Sequence, residues 1–137
     1  MTTHIERTPG QVVQKYLDTF FKKDVEKTLE CLTEDVVWSV QGAADVPTIG
    51  LRHGRDEVRA WMTQFPVNFE PLEFQVERVF ESGDQVVMTG ALKHRILSTG
   101  KEFASDFAAI CTVRDGKVSA YKFLEDSYAL WRAFQPD

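Results

Sequence analysis

Apolar side chains recur at helical spacing in Val12, Val13, Tyr16, Leu17, Phe20 and Phe21, just after Pro9 and Gly10. This pattern predicts an amphipathic helix over residues 9–23. Asp24 suits the N-cap of a short second helix that carries Val25, Leu29 and Leu32 and ends near Thr33. The run Val36, Val37, Trp38 and Val40 is rich in β-formers and predicts a strand. Residues 41–54 hold three glycines and a proline without any period, and read as a loop. After Gly54, the acidic pair Asp56 and Glu57 suits a helix start, Val58, Trp61, Met62 and Phe65 form its apolar stripe, and Pro66 closes it. Residues 69–81, 85–97, 102–113 and 117–125 read as four antiparallel strands parted by Ser82-Gly83-Asp84, Thr99-Gly100 and Arg114-Asp115-Gly116. Asp126 can cap a last helix with Leu130, Trp131 and Phe134 on its buried side.

The order α-α-β-α-β-β-β-β-α makes this an α+β fold in which helices cover an antiparallel sheet. Alternation along the central strands adds a further expectation. One face carries Met88, Leu92, His94, Ile96, Phe103, Phe107 and Cys111, and the other carries Val87, Ala91, Ala104, Ala108 and Ile110. A solvated face would be polar. Helices therefore take the bulky face, and a second copy of the chain is expected on the small-residue outer face, giving a homodimer.

A chain of 137 residues with 43% hydrophobic and 27% charged residues fits one domain, residues 1–137, with its core over about 9–134. Cys31 and Cys111 are too far apart for a ligand or redox motif, and read as buried free thiols in a reducing compartment. A net charge of -5 argues against a nucleic-acid or anionic-membrane partner. The opening MTTHIERTPG has no apolar core or cleavage site, and no window approaches a membrane span, so the cytoplasm is the expected location.

Several strings resemble one superfamily: Tyr16 in the first helix, TEDVVWSV, the loop ending HGRDEV, and TVRDGKVSAYKFLED before the closing helix. The chain resembles the ketosteroid-isomerase-like superfamily, also called nuclear-transport-factor-like (NTF2-like), and within it the polyketide-cyclase-like SnoaL subgroup. The resemblance implies a cone-shaped, curved antiparallel or mixed sheet wrapped by helices. It also implies a pocket lined by Tyr16, Phe20, Trp38, Val40, Trp61 and Leu92, and by His94, Phe107, Ala109, Tyr121 and Glu125. In true ketosteroid isomerases a carboxylate base stands where this chain has Val40, and a protonated acid stands where it has Ala109. Neither residue supplies a base or a donor, so steroid isomerisation by that route is not expected. Tyr16 matches the family's oxyanion tyrosine in position.

Hairpin register then suggests a polar row. A two-residue Thr99-Gly100 loop places His94 opposite Ser105 and Lys93 opposite Asp106; a three-residue Arg114-Asp115-Gly116 loop places Ser105 opposite Glu125. His94, Ser105 and Glu125 would then lie side by side, able to share protons. If Asp115-Gly116 were instead a two-residue loop, Glu125 would turn to the other face. His94 also reads as an ordinary core histidine, and Glu125 as a residue leaving the pocket at the strand end. Trp38, Trp61, Phe107 and Tyr121 read equally as core or as pocket wall; Gly90, Ser105 and Ala109 between them favour open space. Asp106 reads as an ion-pair partner of Lys93, Asp126 as a helix cap and Asp45 as a solvated loop carboxylate or a substitute base at the pocket mouth. His53 and Arg55 read as structural. No two histidines share an element at ligand spacing, so no metal is expected, and no phosphate loop, nucleophile elbow or dinucleotide fingerprint occurs.

The functional expectation is an acid/base isomerase or cyclase without a tightly bound cofactor, acting on a small hydrophobic carbonyl compound of polyketide-like character. His94 would be the base or acid, Glu125 its partner and Tyr16 the polariser of a substrate oxygen. A non-catalytic ligand-binding protein and a protein-interaction module of the same fold are the alternatives.

Overall fold

The computed structural model describes residues 7–137; the opening segment read above for its lack of an export signal lies, through Glu6, outside the described residues. Helix α1 (Pro9–Phe21) starts at Thr8, whose side chain accepts the Gln11 N–H at 3.2 Å while the Gln11 side chain accepts the Thr8 N–H at 2.9 Å. This reciprocal cap satisfies two otherwise unpaired donors. Its buried stripe is Val12, Val13, Tyr16 and Leu17. The helix ends two residues before the expected boundary because Lys23 turns left-handed (φ 60°), which frees Asp24 to cap α2 (Val25–Glu30). Leu32 and Thr33, expected in α2, belong instead to strand β1 (Leu32–Val40).

The segment expected to be loop contains a short strand, β2 (Gly50–His53), which pairs antiparallel with β1 from Val37↔His53 to Val40↔Gly50. Four residues led by a glycine are too few to show alternation, and the strand forms because β1 would otherwise leave its edge unpaired. Helix α3 (Gly54–Asn68) runs two residues past Pro66, which sits in the last turn. There it costs one bond of the ladder without ending it. Strands β3 (Phe69–Ser82), β4 (Gln85–Ile96), β5 (Glu102–Arg114) and β6 (Lys117–Glu125) follow, and helix α4 (Ser127–Phe134) closes the chain.

The sheet has six strands in the order β2-β1-β6-β5-β4-β3. β1 runs parallel to β6 and every other pair is antiparallel, so the sheet is mixed and the fold is α+β as expected, with one strand more. Bulges in β3, between Pro71 and Glu73 and between Val76 and Arg78, bend it around α1. On the concave face Met88, Leu92, Phe103, Phe107 and Cys111 are buried beneath the α1 stripe. α4 buries Leu130 and Ala133 and leaves Trp131 and Phe134 half-covered. The Trp131 indole is turned outward to Asp45, whose carboxylate accepts its N–H at 3.1 Å.

Both central hairpins differ in register from the expected pairing. Ile96 and Lys101 close a four-residue turn, Leu97–Gly100, so His94 faces Phe103, Leu92 faces Ser105 and Ala91 faces Asp106. The slip from the expected pairing is two residues, which leaves every side chain on its expected face. In the next hairpin Asp115 and Gly116 form a two-residue loop with φ of 54° and 75°, closed by Arg114↔Lys117. That loop alone would turn Glu125 outward. A bulge at Ser119, between Val113↔Val118 and Thr112↔Ala120, reverses the parity and returns Glu125 to the concave face, opposite Phe107.

Candidate functional site

The concave side encloses a narrow slot of about 60 Å³ between α1, α3 and the sheet, room for roughly five water-sized spheres. It is narrower than the open chamber expected, because aromatic rings from α1, α3, β1 and β6 close on it. Trp61 and Phe65 of α3 lie 5.1 Å apart, centroid to centroid, and Phe20 of α1 lies 6.1 Å from Trp61. Trp38 meets Trp61 at 4.2 Å and stacks on Tyr121 at 5.0 Å and 11°. Such tilted and stacked contacts fill space with flat, apolar walls suited to a planar ligand.

Of the residues expected to line this space, Tyr16, Phe20, Trp38, Val40, Trp61, Leu92, His94, Tyr121 and Glu125 do so. Ser105, Phe107 and Ala109 do not. The Ser105 hydroxyl donates to the Asp106 carbonyl and accepts the Asp126 N–H at 2.9 Å, so it ties β5 to the start of α4. Phe107 is sandwiched in the core, stacked on Phe74 at 4.6 Å and Phe123 at 5.2 Å. Ala109 is buried between Met88 and Phe123 on the neighbouring strands. The space expected beside Gly90 is occupied: a Cβ there would stand 1.9 Å from the Gln75 carbonyl oxygen and 2.9 Å from the Phe107 ring. Sequence reading missed Leu17, Phe21, Thr48, Phe65, Phe69, Phe74 and Phe123 as walls. Leu17 and Phe65 were legible as apolar stripe positions, but Thr48 was not, since it lies in an aperiodic loop.

The polar groups stand at separate places in the slot. Tyr16 is buried, and its oxygen accepts the Trp38 indole N–H at 3.0 Å. Among the described residues the phenol's own proton has no acceptor, so it is available to a ligand oxygen. Burial holds this phenol well above its ordinary range despite the Trp38 bond, and Tyr121 is held up in the same way, with Tyr16, Cys111 and Glu125 adding to the effect. Both stay neutral donors. Glu125 reaches the slot from the end of β6, and burial pushes its carboxyl up to about 7. No hydrogen bond to that carboxyl occurs among the described residues.

His94 is 8% exposed, with Nδ1 buried and unpartnered, and it meets the edges of Phe65 and Phe69 at 5.6 and 5.5 Å. Burial pushes it down to about 4, against a weaker opposing pull from the Lys93 backbone, so it is neutral at pH 7. The expected row of His94, Ser105 and Glu125 does not form. His94 faces Phe103 and Glu125 faces Phe107, which separates them by two strands, roughly 10 Å, and by four residues along the strand, roughly 13 Å. Proton sharing through Ser105 is thereby corrected: each group meets the slot on its own.

The remaining sequence candidates are structural. Asp126 caps α4 through the Ala129 N–H at 2.9 Å. Asp45 holds Trp131, outside the slot. Arg55 donates through Nε and Nη2 to the Leu32 carbonyl, pinning α3 to β1. Asp106 lies on the outer face as expected, but Lys93 pairs with Glu102 at 3.4 Å instead. Cys31 and Cys111 are free and buried, and burial pushes the Cys111 thiol up to about 12. Among the described residues no three His, Cys, Asp or Glu side chains gather as metal ligands.

The SnoaL-like domain family profile matches residues 13–121. No curated protein matches the sequence. Among solved structures, an NTF2-like protein from Burkholderia xenovorans LB400 superimposes with a TM-score of 0.86 at 24% identity, over 93% of this chain and 95% of that one. TerC, co-crystallised with polyporic acid, gives 0.80 at 21% over 92% and 98%. A proposed SnoaL-like polyketide cyclase from Mesorhizobium loti gives 0.70 at 19% over 85% and 98%. At these identities the likeness is one of fold.

Proposed function

The chain belongs to the SnoaL-like domain family, and we propose that it is a cofactor-independent acid/base catalyst, an isomerase or cyclase, for a small, flat, hydrophobic carbonyl compound. The observation that carries this reading is that two complementary groups line one aromatic slot. A carboxyl poised near 7 without a protein partner stands in the same space as a phenol whose proton is free. Proton transfer next to a carbonyl needs a base of matched affinity and a donor for the developing oxyanion. Glu125 takes the first role, and Tyr16, backed by Trp38, takes the second. Val40 and Ala109 supply neither group, and the base comes from the end of β6 instead. His94, neutral and remote from Glu125, accepts a hydrogen bond from a donor on the bound molecule. The reading also places a second copy of the chain on the outer face, where Val87, Ala91, Ala108 and Ile110 are only half-covered and Phe80 is 53% exposed. It assigns the protein to the cytoplasm, in keeping with two free buried thiols; no helix of the described residues is long and apolar enough to cross a membrane.

Deuterium exchange at the methyl group of acetophenone, followed by NMR in heavy water, tests the reading. The wild-type protein is expected to accelerate it and Glu125→Gln to abolish the acceleration with acetophenone affinity retained. Binding without any acceleration would favour a non-catalytic carrier of the same shape.

A further inference from the structure

A second space adjoins the slot. It is a groove of about 300 Å³ between β2 and α3, and it shares Thr48, Trp61 and Phe65 with the slot as a common wall. Its cation is Arg52. The guanidinium is folded back on its own loop: Nη1 donates to the Thr48 carbonyl at 3.0 Å and Nη2 to the Pro47 carbonyl at 3.3 Å. It also lies over Gly50, whose Cβ, were there one, would stand 3.3 Å from Nη1. This fixes the fork in place with Nε unengaged. No carboxylate lies within ion-pair distance of Arg52 among the described residues. Glu57, which also lines the groove, raises the Arg52 pKa at longer range, while its own oxygen is taken by the His53 N–H at 2.9 Å. Half-burial works against the charge and outweighs Glu57.

The groove is linked to the slot by one atom. The Thr48 carbonyl accepts both the Arg52 Nη1–H at 3.0 Å and the Trp61 indole N–H at 3.1 Å. Trp61 borders both spaces, so the cation of the groove and a wall of the slot hold the same oxygen. The slot of about 60 Å³ lies below the range typical of ligand pockets, about 300–1,000 Å³, whereas slot and groove of about 300 Å³ together reach it.

We propose that Arg52 is a carboxylate-binding subsite, and that the compound bound in the slot carries a carboxylate on a tail that passes Trp61 into the groove. This rests on the reading of the slot as a site for an apolar carbonyl compound, and it narrows that class to keto acids with an aromatic or alicyclic head. The planar fork, preset by two carbonyls, suits a planar carboxylate through Nε and the outward Nη protons.

The test uses acetophenones bearing, in the para position, a carboxylate directly or on a short or longer alkyl chain, each against its carboxamide, with Trp fluorescence as the readout. At one chain length or more, the carboxylate is expected to bind about tenfold more tightly than the amide, a charge-assisted bond's worth. Arg52→Met should remove that advantage and leave amide binding intact, and Arg52→Lys should keep part of it. Carboxylate and amide binding alike at every length, or an advantage that survives Arg52→Met, would overturn the subsite. If Arg52→Met weakens amide binding too, by loosening the loop, salt decides: the wild-type advantage must shrink as ionic strength rises, and a salt-independent advantage overturns the proposal. Failure of acetophenone and the amides to bind would overturn the reading of the slot, while an Arg52-dependent carboxylate signal would uphold the subsite even then.

Discussion

The indole N–H of Trp38 donates to the Tyr16 oxygen at 3.0 Å. This bond uses the phenol as an acceptor and leaves its proton without an acceptor among the described residues. Tyr16→Phe removes that donor and strands the Trp38 N–H. The exchange of acetophenone protons should fall by about a hundredfold, the scale of losing one oxyanion donor. Stability should fall by about 1–3 kcal/mol for the unpaired buried N–H, as read by urea denaturation. Exchange unaffected by this change would remove Tyr16 from the chemistry.

Glu125 and His94 are displaced in opposite directions, and this makes their effects on stability separable. The Glu125 carboxyl is raised to about 7 in the folded protein, so its contribution is fully present below its unfolded value near 4.5 and is lost as pH rises through 7. The His94 imidazole is lowered to about 4, so its contribution is present above about 6.5 and is lost as pH falls through 4. Between about pH 4.5 and 6.5 the two slopes oppose each other. Glu125→Gln should leave a stability that rises with pH across that window, and His94→Gln one that falls. Denaturant midpoints measured across the window check both; slopes of the same sign in the two variants would contradict the assignment.

Gly90→Ala should be among the most disruptive small changes in the chain. Its Cβ would overlap the Gln75 carbonyl at 1.9 Å, and backbone in a paired strand cannot withdraw cheaply. A loss of about 3 kcal/mol is expected, seen as a large drop in melting temperature. Gly83→Ala meets nothing within 4 Å, at φ +60°, and should cost only about 1–2 kcal/mol for the left-handed backbone. Equal losses at the two sites would refute this account.

Ile110→Glu on the outer face tests the second copy of the chain. Sedimentation of the wild-type protein should report a dimer and that of the variant a monomer, with acetophenone binding kept in both. A wild-type monomer at micromolar concentration would remove the proposal.

Much of the architecture is written in local pattern. The spacing of Val12, Val13, Tyr16 and Leu17 specified α1, Asp24 and Asp126 specified caps, and alternation from Met88 to Ile96 and from Phe103 to Cys111 specified which face is inward. These signals are local because a helix face repeats every three to four residues and a strand face every two, so each can be read without knowing the partner. Which wall residues meet was less legible. Phe107 and Ala109 face inward as the alternation requires, yet Phe74 and Phe123 enclose Phe107 and keep it from the slot.

The sequence by itself determined the α+β class and the inward faces of the central strands, His94 among them, and its family resemblance pointed to Tyr16, Trp38 and Trp61 around one hollow. Only the tertiary structure decided what those residues can do together. The four-residue turn at Leu97–Gly100 slid His94 opposite Phe103, and the bulge at Ser119 restored Glu125 to the concave face that its two-residue hairpin loop would have denied it. The Thr48 carbonyl joined Arg52 of β2 to Trp61 of α3. Register and strand neighbours arise from hydrogen bonds between segments far apart in the chain, and a bulge inverts a whole strand face with one residue. No local period encodes such a choice.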